Sequence, residues 1–164
     1  EYGLPHLLDC FREHGVKGTF FIPGRVAELY PDAVRAIADA GHELGCHGYE
    51  HEILAHFTPE EQLELLKKAK AAIEKAAGRA VTGFRMPEGE ITEQTLVAAK
   101  EAGFAYSSSL SNTDVPYIRQ PAGLPELPIC LTFRISPLRS IPPFRRARPA
   151  APEWIRCWIT GCVS

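Results

Sequence analysis

Gly41-His42-Glu43-Leu44-Gly45-Cys46-His47-Gly48-Tyr49-Glu50-His51-Glu52 is the stretch on which the reading of this chain turns. Residues 43–46 read as a short strand that delivers His47 to its end, with His51 following four positions later. Upstream, Thr19-Phe20-Phe21-Ile22 is a second β-prone run, closed by Pro23-Gly24, and predicts a buried strand. Between the two, Val26, Leu29, Val34, Ile37 and Ala38 recur at helical spacing, which predicts one helix over 26–40 stopped by Gly41. Nearer the start, Leu4, Leu7, Leu8 and Phe11 make a helical stripe over 4–13, with Gly15 beyond it.

The pattern continues downstream. Thr58-Pro59-Glu60-Glu61 is a capping box with proline at the first helical position, and Leu63, Leu66, Ala69, Ile73 and Ala76 supply the buried face. Glutamates lead, lysines follow, and Gly78 closes the helix, in the order that the helix dipole favours. Residues 81–84 read as a strand, 92–102 as a helix stopped by Gly103, and 104–107 and 127–133 as further strands. Strands separated by helices of this length imply βα units and a parallel sheet, hence an α/β fold. Such units carry functional groups where strands end, and here Cys46-His47 and Phe84-Arg85 fall at such ends.

The totals narrow the classes. The chain has 164 residues, 45% hydrophobic and 23% charged, enough for one globular domain with a core of its own. A net charge of -2 and a pI near 6.3 argue against a nucleic-acid or anionic-membrane partner, since both demand a basic patch. No apolar run approaches the ~20 residues of a membrane span, and the first residues show no export signal. Five cysteines at 10, 46, 130, 157 and 162 match neither a zinc knuckle nor a disulfide framework, so reduced thiols in a cytoplasmic protein are expected.

His47 and His51 carry the chemistry. Four residues apart, they are placed by the helical reading on one side of a turn, within reach of one divalent metal. Imidazole pairs suit zinc, cobalt, nickel or iron, and a catalytic site adds a third ligand and an open position. By itself the spacing is weak, since two surface or capping histidines would show it equally. Its neighbourhood is more informative. Gly18-Thr19-Phe20-Phe21-Ile22-Pro23-Gly24, then residues 41–52, then Gly83-Phe84-Arg85-Met86-Pro87 occur in an order and spacing that resemble the polysaccharide deacetylase (NodB-homology) family. Val115-Pro116-Tyr117 and Leu124-Pro125-Glu126-Leu127-Pro128 resemble a branch with peptidoglycan deacetylase-like, allantoinase-like and cyclic-imide hydrolases. The resemblance covers about 2–133.

The resemblance implies a partial, distorted (β/α) barrel and a metal-dependent hydrolase of non-peptide amide bonds, commonly the N-acetyl group of a sugar. It implies that His47 and His51 are metal ligands, with zinc the first expectation. Arg85 matches the arginine that holds the catalytic base carboxylate, and Pro87 matches the proline that shapes the groove wall. Glu50 and Glu52 are not expected to be the base, His42 is expected to be a structural hydrogen-bonding residue, and His6, His14 and His56 are expected to face solvent. Cys46 is expected to be a small core residue, not a nucleophile.

The expected substrate is an N-acetylated sugar, with a small cyclic amide or imide as the alternative. The family's first motif carries two aspartates on a strand expected before residue 2, and its late catalytic histidine is expected after Phe133; no histidine follows His56. The expectation is therefore a catalytic domain over 1–133, incomplete at both ends, and an aberrant or disordered tail over 134–164, crowded with Pro and Arg and read as an out-of-frame translation. Loss of a positioned base forfeits roughly 10²–10⁴-fold in rate. That leaves a non-catalytic glycan-binding pseudoenzyme, or a structural α/β fragment, as the readings from other classes.

Overall fold

The computed structural model describes residues 3–89 and 91–129. Helix α1 (Gly3–Glu13) precedes strand β1 (Thr19–Ile22), helices α2 (Gly24–Leu29) and α3 (Pro31–Asp39), and strand β2 (Glu43–Cys46). After the 47–58 loop come α4 (Pro59–Ala77), β3 (Gly83–Phe84), α5 (Glu93–Glu101), β4 (Tyr106–Ser107), and a hairpin of β5 (Tyr117–Arg119) and β6 (Leu124–Glu126). The strands make one sheet in the order β1-β2-β3-β4-β6-β5, parallel throughout except for the β5–β6 pair. This is the expected α/β architecture, with a sheet that is mostly parallel and made mixed by the β5–β6 pair.

Each helix forms for a reason written locally. In α4 the Thr58 hydroxyl accepts from the Glu61 N–H at 3.3 Å while the Glu61 carboxylate accepts from the Thr58 N–H at 2.9 Å, the predicted capping box. Its other end stops at Gly78, which takes the left-handed conformation at φ 69°. Leu66, Ala69 and Ile73 of α4 are fully buried against the sheet with Phe84, Leu96 and Leu124. The small Ala69 lets α2 approach closely: a Cβ on Gly24 would lie 2.6 Å from the Ala69 Cα.

Four expectations need correction. The helix foreseen over 26–40 is two helices, because Pro31 lacks an N–H and drives Tyr30 out of the helical region (φ −132°, ψ 55°). The strands foreseen over 81–84 and 104–107 pair only at Gly83–Phe84 and Tyr106–Ser107, since the sheet's ladder holds just two residues there. Among the described residues the last strand is Leu124–Glu126, entered from an antiparallel partner, β5, that periodicity does not show; of the strand expected over 127–133, residues 127–129 form none and 130–133 lie outside the described residues. The α1 stripe buries only Phe11 completely, with Leu7 41% exposed. The tail over 134–164, with three of the five cysteines from residue 130 on, lies outside the described residues.

Candidate metal centre and arginine clamp

Alternation along the strands sets the floor of the site. Phe21, Gly45, Gly83 and Tyr106 are register partners across β1 to β4 and so share one face. The row alternates large, small, small, large for a steric reason: a Cβ at Gly45 would stand 2.5 Å from the Phe21 ring, and one at Gly83 would stand 2.4 Å from the Tyr106 hydroxyl. The next row, Ile22, Cys46, Phe84 and Ser107, turns to the opposite face, where Phe84 stacks on Phe104 with centroids 5.6 Å apart.

One residue beyond the strands, the ladder continues three more times. His47 N–H donates to the Ile22 carbonyl at 3.0 Å, Arg85 N–H to Cys46 at 2.8 Å, and Ser108 N–H to Phe84 at 2.9 Å. His47, Arg85 and Ser108 thus leave the carboxyl ends of β2, β3 and β4 side by side, where open parallel sheets carry their sites.

The two histidines do meet, but not on a helical turn. Residues 47–52 are a loop in which Gly48 (φ 72°) and His51 (φ 67°) are both left-handed. That path brings the His47 and His51 rings to 4.8 Å between centroids, nearly perpendicular at 80°. The loop is fastened from two sides. Gly24 N–H donates to the Gly48 carbonyl at 3.0 Å and Arg25 N–H to Tyr49 at 2.8 Å, while the Glu52 carboxylate accepts from the N–H groups of Tyr49 and Glu50. Glu52 is therefore occupied as a loop cap, and Glu50 points to solvent.

His47 is half-buried, and its Nδ1 lies 2.9 Å from the Arg85 carbonyl. A carbonyl only accepts, so Nδ1 carries the proton and Nε2 keeps its lone pair. Burial first, then the charges of His51 and Arg85, hold the imidazole below its ordinary pKa, against the opposing pull of that carbonyl and Glu88. His51 is more exposed, with Nδ1 3.7 Å from a Glu88 carboxylate oxygen. The donor set fits two positions on a borderline metal. Among the described residues no group of three His, Cys, Asp or Glu converges, so a third ligand is not among them.

Arg85 is clamped. Its Nε donates to the Ser108 carbonyl and its terminal NH2 to the Ser108 hydroxyl, both at 2.7 Å, and the guanidinium lies 4.2 Å from the Phe21 ring centroid. It makes none of the ion pairs present among the described residues. Pro87 is buried in a short 3-10 turn after β3, its Cγ 3.0 Å from where a Cβ on Gly48 would be, so it walls the loop that carries the histidines. Ser108 carries no motif, and Phe21, though part of the Gly18–Gly24 stretch, shows no sign there of meeting Arg85, so sequence reasoning misses both roles. Cys46 is fully buried, its thiol pushed up to about 12 by burial, which suits a core residue. His42 is buried with Nδ1 accepting from the Gly18 N–H at 3.2 Å, and His6, His14 and His56 are exposed.

A sequence model described as polysaccharide deacetylase matches residues 2–107. A peptidoglycan deacetylase of Helicobacter pylori is 36% identical over 118 residues, covering 71% of this chain and 40% of the relative. Among solved structures, a candidate polysaccharide deacetylase from Mycobacterium smegmatis superposes with a TM-score of 0.74 at 36% identity, over 84% of this chain and 51% of that one. A CE4 family pseudoenzyme from Bacillus anthracis superposes with a TM-score of 0.61 at 29% identity, over 63% of this chain and 37% of that one. The chain thus spans two-fifths to one-half of the first two proteins. No helix among the described residues is long and apolar enough to cross a membrane.

Proposed function

The chain belongs to the polysaccharide deacetylase family, and from that premise we propose that it contributes the metal-holding side of a hydrolase cleaving the amide C–N bond of N-acetylated sugars. The observation that carries this is the convergence at the strand ends: a neutral His47 with Nε2 free, the His51 ring 4.8 Å away, and a partly buried cation held beside them. His47 and His51 would hold a divalent metal, zinc first and cobalt, nickel or iron as alternatives. When bound, that metal supplies Lewis acidity for the attack of water on an amide carbonyl.

The protein's own residues do the rest. The Arg85 carbonyl fixes the tautomer and ring direction of His47, as a hydrogen bond on the far nitrogen of a ligating histidine does. The Arg85 guanidinium, unable to swing away from Ser108 and Phe21, is placed to hold a carboxylate ionised. Pro87 keeps the histidine loop from collapsing toward β3. Because the chain spans only part of its relatives, the third ligand and the base are assigned to other parts of the working enzyme. A small cyclic amide is the alternative substrate, and a cytoplasmic place of action belongs to the same proposal.

Titration with zinc or cobalt tests the ligand assignment. Uptake by the wild-type chain and its loss in His47→Ala are expected; equal uptake by both would sink it. Acetate release from an N-acetylated glycan oligomer then tests the activity. The second reading, a glycan-binding pseudoenzyme, is favoured by the two-imidazole donor set and by the likeness to the Bacillus anthracis pseudoenzyme. Glycan binding without acetate release by the metal-loaded protein would select it.

A further inference from the structure

The Arg85 clamp is one end of a longer line of contacts, and its other end is a buried carboxylate. Glu126 of β6 is fully buried. One oxygen, Oε1, accepts from the N–H groups of Ser109 at 2.6 Å and Leu110 at 2.8 Å, while Oε2 has no hydrogen-bond partner among the described residues. A carboxylate in that position is costly unless a positive charge compensates it. The same segment also holds Arg85. Ser108 gives the guanidinium both its carbonyl and its hydroxyl, and the Ser109 hydroxyl accepts from the Met86 N–H at 2.9 Å and meets the Ser107 hydroxyl at 2.9 Å. A partly buried guanidinium and a buried carboxylate therefore both hold the short segment 108–110, with no ion pair between them.

We propose that Glu126 is the positioning residue for Arg85: its carboxylate clamps residues 108–110 and supplies the counter-charge that keeps the guanidinium in one orientation at the site. The proposal deepens the deacetylase reading and rests on it for the role of Arg85. A plain loop cap would do less. Any carbonyl of the same shape could accept the two N–H groups, and the guanidinium would not notice the exchange.

Glu126→Gln separates the two, because it keeps the shape and one carbonyl acceptor and removes the charge. The readout is the Nε–Hε resonance of Arg85 in the ¹⁵N-arginine-labelled full chain, with the exposed Arg25 as internal reference. In the wild type the Arg85 Hε should exchange with water far more slowly than that of Arg25, since it is committed to the Ser108 carbonyl. In Glu126→Gln the exchange should accelerate by about tenfold, the change expected from weakening one charge-assisted hydrogen bond, with the circular dichroism spectrum unchanged. An unchanged Arg85 rate in a folded Glu126→Gln protein overturns the proposal. Should that variant not fold, Glu126→Asp retains the charge; an Arg85 Hε still slower than Arg25 supports the proposal, and equal rates overturn it. None of these readings needs metal or turnover. A chain without acetate release leaves the Glu126 result standing, and a failed Glu126 test leaves zinc uptake by His47 untouched.

Discussion

Single residues in this chain do work that their chemistry foretells once their surroundings are known. His42 sits between the rings of Phe11 and Phe20, at 5.2 and 5.3 Å, with Nδ1 accepting from Gly18. Burial, then the charges of Lys17 and Arg79, hold its pKa below the usual 6.5. The folded state therefore refuses a proton that the unfolded chain accepts near 6.5, so the unfolded state binds more protons just below that pH. Stability is full above about 6.5 and declines as pH falls through the window toward the lowered folded value. The thermal midpoint should drop between pH 7 and pH 5, and His42→Asn, neutral throughout, should lose less over that interval. Parallel curves for the two proteins would show that His42 does not carry the effect. Gly48 is the counterpart on the backbone. At φ 72°, with an added Cβ 3.0 Å from Pro87, Gly48→Ala should cost about 1–2 kcal/mol. It should also weaken zinc uptake beyond what that stability loss explains, because it shifts the path from His47 to His51. Uptake at wild-type affinity would mean the loop tolerates another route.

At the scale of elements, what was legible was what depends on neighbours in sequence. The capping box at Thr58, the glycine stop at Gly78 and the four-residue strand runs at Thr19 and Glu43 are local devices, and the structure has them where the sequence puts them. The order of strand ends that gathers His47 and Arg85 was legible for the same reason. Contacts remote in sequence were not. The β5–β6 hairpin has three-residue strands, with Pro121 in its turn and Pro125 in β6, too short for a period of two to register. A spacing of four fits a helix and so suggests a helical geometry for the histidine pair, whereas Gly48 between them takes a left-handed turn. Ser108 lies in no motif, and Glu126 stands in the Leu124–Pro128 stretch with nothing local to mark its role, since both acquire their meaning only from the sheet that brings them to the Arg85 segment. The packing of α2 on α4 is another such contact, and it can be tested. Gly24→Ala would press a methyl group to within 2.6 Å of the Ala69 backbone, where no side chain can yield. Overpacking of this kind costs about 1–3 kcal/mol. A wild-type urea midpoint for Gly24→Ala would mean that α2 is free to lift, and with it the Gly24 and Arg25 amides that hold the histidine loop.

At the scale of the whole molecule, the question is whether the hairpin that ends the sheet is part of one cooperative unit. Its strand pairing to β4 is slight, a single register pair between Ser107 and Glu126. Other bonds supplement it: Leu127 N–H reaches the Ser107 carbonyl at 2.7 Å, Ile129 N–H reaches Leu110 at 2.6 Å, and Glu126 takes the amides of Ser109 and Leu110. Leu124 adds a fully buried side chain to the same core as Leu66, Ile73 and Phe84. Removing the hairpin would therefore uncover that core and leave the turn that holds Arg85 without its clamp. These links run through buried groups, so they should break together with the sheet and not before it. A chain ended after Phe133 should accordingly unfold in one transition by both circular dichroism and tryptophan-independent near-ultraviolet signals from Tyr106 and Tyr117. Within that unit β5, paired on one side only among the described residues, should show the earliest amide exchange of the strands. Two separated transitions, with the Tyr117 signal lost first, would make the hairpin an independent flap. The Arg85 clamp would then open and close with it, at a free energy well below that of global unfolding.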